Sequence, residues 1–172
     1  MAFVVLGFPS ISESNFNWIQ SYREENDKLF CNVVNPHFTF VFPINDTNEK
    51  QFVDEIHLQT ENCSIIDFEI SKAIITKDAL SDYYHEFLIP DKGYTKIVEL
   101  HDKLYANKLV KYLRHDIDYI PHIGIGKSKD PNTSTERIKS LRIPIINGKI
   151  EELTIAKYEN NTVSQIASIR LS

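Results

Sequence analysis

Cysteine is scarce in this chain. Cys31 and Cys63 are the only two among 172 residues, too few for a disulfide framework and without the paired spacing of a metal knuckle. Free thiols in a reducing compartment are expected. Long apolar runs are also missing. The opening MAFVVLGFPS has no basic residue and stops at Pro9, so it does not read as a signal peptide. No stretch approaches the ~20 apolar residues of a membrane helix. Nor is there an excess of basic charge: the formal net charge is −5, which argues against sheathing a long phosphate backbone. A nucleotide or a strand end needs only a local positive pocket and stays open. No H-E-x-x-H string or similar cluster occurs, so neither a metal nor another cofactor is expected. These absences point to a cytoplasmic protein that touches no membrane. With 42% hydrophobic and 25% charged residues, the chain has the composition of an ordered domain.

What is present is a regular sequence of elements. Residues 3–8 (FVVLGF) form an apolar β-branched run that Pro9 ends, which predicts a buried strand. A helix over about 12–28 follows, with Ser12 and Ser14 as possible caps. The spacing predicts a strand from Cys31 to Phe42, a helix over Glu49–Leu58 and two strands, Ile65–Thr76 and Tyr83–Ile89. A longer helix over about 94–114 comes next, then a strand over Ile117–Ile125. A short helix capped near Pro131–Ser134 is expected to stop before Pro144. The strands Gly148–Tyr158 and Val163–Leu171 close the chain across a Glu159-Asn160-Asn161 turn. Each half reads strand or linker, helix, strand, helix, strand, strand, a weak repeat of element order. The expected fold is α+β: one domain over residues 1–172, built of two pseudo-symmetric lobes whose antiparallel sheets face a central cleft, with helices outside.

Two strands begin alike. Residues 36–43 read PHFTFVFP and residues 121–128 read PHIGIGKS, close to half a chain apart. Alternation along a regular strand puts His37, Thr39 and Val41 on one face and Phe38, Phe40 and Phe42 on the other. It likewise puts His122, Gly124 and Gly126 together, opposite Ile123 and Ile125. The bulky residues gather on one side in both strands. The histidine side keeps small or hydroxyl-bearing neighbours, as a cleft lining would.

These motifs, with FLIPD ahead of the long helix, resemble the two-histidine (2H) phosphoesterase superfamily, in particular its 2′-5′ RNA ligase-like and RNA 2′,3′-cyclic phosphodiesterase members. The resemblance spans nearly the whole chain. It implies His37, Thr39 and His122 as the catalytic set, with a nucleotide or a cyclic-phosphate RNA terminus as the partner. Gly124 departs from the pattern, standing where the family has threonine or serine. Lys127 falls where relatives often carry arginine. Opening a cyclic phosphate requires a water to lose a proton while a ribose oxygen gains one, and two imidazoles supply both functions near neutrality. The hydroxyl two residues on faces the same way and can donate to a phosphate oxygen.

Other candidates have plainer readings beside the functional one. Lys127 and Lys129 follow the second motif; the first is a candidate phosphate ligand, the second a solvated strand-end lysine. Phe8 is either a base-stacking residue or core. His85 shares a face with Tyr83 in a regular strand, and either side chain is a candidate nucleotide contact. His57, His101 and His115 are expected at the surface. Gly124 keeps a second possibility open, a nucleotide- or RNA-end-binding module with weak or no turnover. A protein-interaction domain with incidental histidines is a further one. A monomer is expected.

Overall fold

Phe3, Val5 and the residues around them make β1 (Ala2–Gly7), a fully buried strand. Pro9 interrupts it, and the chain resumes at once as β2 (Ser10–Ile11) in a different sheet. The computed structural model describes residues 1–172. Helix α1 (Glu13–Asn26) starts at Ser12, whose side chain accepts from Asn15 N. Strand β3 (Phe38–Ile44) and helix α2 (Glu49–Thr60), capped by Asn48, follow. Then come β4 (Ile66–Lys77), β5 (Tyr84–Lys92), α3 (Tyr94–Leu104) and a 3₁₀ segment over Asn107–Tyr112. The predicted helix over 94–114 therefore breaks near Ala106, and Asn107 sits at φ +53°. Strand β6 (Ile123–Ser128) leads into α4 (Pro131–Ser140), which has Asp130 as cap and proline in its first turn. Strands β7 (Ile146–Ile150), β8 (Glu152–Glu159) and β9 (Thr162–Arg170) complete the fold. Asn160 and Asn161 take positive φ in the last hairpin, the pairing that a two-residue turn between right-twisted strands favours.

The two sheets are antiparallel, with strand orders β3-β1-β8-β9 and β2-β7-β4-β5-β6. Each sheet carries one histidine motif, but a lobe is not a half-chain. Strands β4 and β5 of the first half pair beside β6, and β8 and β9 of the second half pair beside β1. Helix α1 of the first half packs on β6 of the second, and α3 packs on β3 of one sheet and on β5 and β4 of the other. The single predicted strand over 148–158 is really β7 and β8, separated at Glu151 so that one run serves both sheets. The chain passes directly from strand to strand between sheets at Pro9 and at Glu151, and by way of α1 and α2 from β2 to β3 and from β3 to β4. Ser10 Oγ donates to Glu151 Oε2 at 2.7 Å, tying the two direct passages together.

A core of 25 buried residues draws on both sheets. Phe38 of one sheet meets Phe68 of the other edge-on, with ring centroids 5.3 Å apart. Below the second sheet lies a buried polar cluster. Glu86, with no exposed surface, accepts from Tyr22 Oη at 2.7 Å, Ser134 Oγ at 2.8 Å and Arg137 at 3.3 Å. This carboxylate fastens α1 and α4 to β5. Glu86→Ala should destabilise the fold by roughly 3 kcal/mol or more, because two hydroxyls and a guanidinium lose their shared acceptor. Glu86→Gln should cost much less, and urea unfolding of the two variants beside wild type measures the difference.

Candidate active site

The Pro-His pairs explain themselves at the level of a few atoms. Pro36 and Pro121 are buried and curl the chain so that each imidazole meets the carbonyl two residues before it. His37 Nδ1 lies 2.7 Å from Asn35 O, and His122 Nδ1 lies 2.6 Å from Ile120 O. A carbonyl can only accept, so both Nδ1 atoms carry hydrogen and both Nε2 atoms are left to exchange protons. The histidines precede their strands: β3 begins at Phe38 and β6 at Ile123.

Strict alternation then fails at the same place in both strands. The β1–β3 pairing runs Leu6 with Thr39 and Val5 with Val41, skipping Phe40. The β5–β6 pairing runs Phe87 with Gly124 and Glu86 with Gly126, skipping Ile125. Each motif thus has a bulge three residues after its histidine, and a bulge re-aims the side chains beyond it. Val41 and Gly126, expected on the histidine face, turn inward. Val41 is fully buried in the core, and a Cβ on Gly126 would lie 2.5 Å from Glu86 Oε2. Phe42, expected on the opposite side, lines the cleft instead, and Lys127, the candidate phosphate ligand, lines it too. Thr39 and Gly124 stay on the cleft side. Around Gly124 a Cβ would meet nothing within 4 Å, so the place of the missing hydroxyl is open space.

Between the sheets lies a cavity of about 390 Å³. His37, Thr39 and Phe42 line it from one side; His85, His122, Gly124 and Lys127 line it from the other. Arg23 and Asp27 close one end. Phe8 is not in this lining. It borders an adjoining cavity of about 410 Å³ and stands edge-on to His37, with ring centroids 6.1 Å apart.

Burial dominates the electrostatics. Desolvation pushes His122 down to about 4; the Ile120 carbonyl pulls the other way, and the charges of His37 and His85 add to the depression. His37 is also lowered, chiefly by desolvation, against the pull of Asn35 O and with Arg23 adding to the depression. The two cations of the cleft are already engaged. Arg23, 2% exposed, donates to Gln20 Oε1 and to the carbonyls of Phe30 and Val34, which steadies the loop leading to His37. Lys127 Nζ lies 4.0 Å from Asp27 Oδ1 and 4.0 Å above the Phe30 ring. His85 Nε2 lies 2.7 Å from Asp78 Oδ2, a contact that holds Asp78 down to about 2. No group of three or more His, Cys, Asp or Glu side chains is placed to hold a metal ion.

Sequence reasoning missed Arg23 and Asp27 at the end of the cavity and Asp78 beside His85, and also two aromatic residues, Phe87 and Tyr119. Phe87 stacks on His122, with centroids 3.6 Å apart and planes 18° apart, and on His85 at 5.5 Å. Its place two residues beyond His85 was a legible signal. Tyr119 had none: its hydroxyl donates to Thr39 O at 2.9 Å, joining the lead-in of the second motif to the first. It stacks at 3.6 Å on His101, whose Nδ1 donates to Phe40 O. His101 is therefore buried, not at the surface as expected, because it serves the otherwise unpaired edge of β3. His57 and His115 are exposed.

Two antiparallel sheets, each presenting one Pro-His-led strand to a shared cleft, define a two-histidine phosphoesterase fold. The model of the 2'-5' RNA ligase superfamily matches residues 11–162, and the chain belongs to that superfamily. Among solved structures it resembles TT0787 of Thermus thermophilus at 12% identity and TM-score 0.64, covering 99% of this chain and 98% of that one. Escherichia coli LigT complexed with 3'-AMP matches at 11% identity and TM-score 0.59, with the same coverage. Kluyveromyces marxianus Usb1 matches at 10% and 0.56, again with that coverage. No curated protein sequence matches the chain. No helix is long and apolar enough to cross a membrane.

The lowered imidazoles tie stability to pH. Below the ordinary histidine value of about 6.5 the unfolded chain takes up protons at positions 37 and 122 that the folded protein refuses. Stability should therefore be full above about pH 6.5 and fall as pH drops towards about 4, where His122 itself titrates. His122→Gln should lose less stability across that window, measured by urea midpoints at a series of pH values.

Proposed function

We propose that this chain is a metal-independent phosphoesterase that opens a 2′,3′-cyclic phosphate on an RNA end or nucleotide, or cleaves a related 2′-5′ linkage. The observation that carries the reading is the matched pair of imidazoles across one cavity, each with Nδ1 held by its own backbone and Nε2 free for proton transfer. One neutral imidazole takes a proton from water as the water oxygen bonds to phosphorus. The bond from phosphorus to one ribose oxygen breaks, and the other imidazole, protonated, gives that oxygen its hydrogen. Thr39 supplies a hydroxyl to a non-bridging oxygen. Burial keeps both imidazoles low in the free protein, and an arriving anionic phosphate favours protonating one of them. The bound nucleotides of Escherichia coli LigT, 3'-AMP, ATP and NADP+, support a nucleotide-sized ligand.

The test is incubation of the purified protein with 2′,3′-cyclic nucleotides and cyclic-phosphate RNA in EDTA, with separation of the products. Monoester product is expected, with kcat/KM bell-shaped in pH and its optimum on the acid side of about 6.5, since both limbs belong to lowered histidines. His37→Ala and His122→Ala should each cut kcat by roughly 10²–10⁴ while the fold stays intact. Loss of activity in chelator, with recovery on one divalent ion, would overturn the mechanism. A second reading, a nucleotide-binding module with little turnover, is favoured by the open space at Gly124; tight binding without product would establish it.

A further inference from the structure

We infer that His85, held by Asp78, supplies the phosphate-oxygen donor that the second motif lacks at Gly124. This rests on the phosphoesterase reading above. Four features of the cleft carry it. His85 lines the same cavity as His37, Thr39 and His122. It lies on β5, where Phe87 pairs with Gly124 and His85 pairs with Lys127. His85 and Gly124 are thus diagonal neighbours across the two strands, a separation of ~7–8 Å that a long side chain spans. The space over Gly124 contains no atom within 4 Å of a Cβ position, so a phosphate oxygen has room there, with the Phe87 ring beside it.

The row of rings makes the placement firm. Phe87 stacks on His122 on one side and on His85 on the other, with planes within 18° and 16°. One nitrogen of His85 is committed: Nε2 meets Asp78 Oδ2 at 2.7 Å. Asp78 is itself anchored by the backbone N–H groups of Leu80 and Ser81. With Nε2 held by Asp78, the other ring nitrogen, Nδ1, is the one left to meet a phosphate oxygen. Lys127 is the rival for this role. It lies against Asp27 and over the rings of Phe30 and Tyr83, with its side chain 9% exposed, so its charge is already answered. In the first motif Thr39 supplies its hydroxyl directly; in the second, the donor comes from the neighbouring strand. Asp78 is a positioning residue for that donor.

A double-mutant cycle on one 2′,3′-cyclic nucleotide tests this. His85→Ala should lower kcat by roughly 10²-fold, the loss seen when one oxyanion donor is removed. Gly124→Thr, for which the space is open, should raise kcat at least about tenfold more in the His85→Ala background than in wild type. Asp78→Asn keeps an acceptor but loses the charge, and should lower kcat by about tenfold with KM little changed. His85→Gln, which keeps an amide donor, should fall between wild type and His85→Ala and guards against a folding defect. Equal gains from Gly124→Thr in both backgrounds, or unchanged kcat in His85→Ala, would overturn the assignment. If wild type turns nothing over, the phosphoesterase reading fails on its own account. A titration with inorganic phosphate, followed by NMR of the His85 ring, then still decides the donor role: a shift that Asp78→Asn weakens supports it, and no shift overturns it.

Discussion

The hydrogen bond from each imidazole Nδ1 to the carbonyl two residues back constrains most of what surrounds it. Because the carbonyl can only accept, the tautomer is set without any charged partner. Because a buried proline stands between donor and acceptor, the chain is committed to one curl before pairing begins. Pairing therefore starts at Phe38 and Ile123, directly after the histidines. In both strands a bulge follows at the third residue and decides which side chain faces the cleft next. The lobes match at this level of detail although their residues differ almost entirely.

Burial sets the chemical state of the pair. Desolvation outweighs the carbonyl bonds and lowers both imidazoles, so both rings are neutral in the free protein near neutrality. The cations near them are largely answered, Arg23 by loop carbonyls and Lys127 by Asp27. Under the proposed function, a negatively charged protein would hold its anionic ligand through a few aimed donors rather than through a broad basic surface.

Strand exchange makes the two lobes one mechanical body. With β8 and β9 beside β1, and β4 and β5 beside β6, neither sheet is complete without residues from both halves of the chain. The Ser10–Glu151 bond joins the two direct strand-to-strand passages between sheets, and Tyr119 joins the second motif's lead-in to Thr39. The Tyr119 bond holds the second motif's lead-in against the first motif's strand, the kind of constraint that the proposed acid–base chemistry needs.

The sequence by itself determined the element types, the α+β class with two facing sheets, and the pair of Pro-His motifs. These depend on local propensity and on period-two patterning, which are properties of short windows. The terminal hairpin was legible for the same reason: Asn160-Asn161 tolerates the positive φ its turn requires. Only the tertiary structure decided which strands pair, because alternation marks a strand's faces and not its neighbours. It alone turned Val41 and the Cβ position of Gly126 inward and brought Phe42 to the cleft, since a bulge is a property of two paired strands. It buried His101, whose partner carbonyl belongs to Phe40, 61 residues away in the chain. It also brought His85, bonded to Asp78, into the cavity that Gly124 lines from the neighbouring strand, a juxtaposition that no single window of sequence contains.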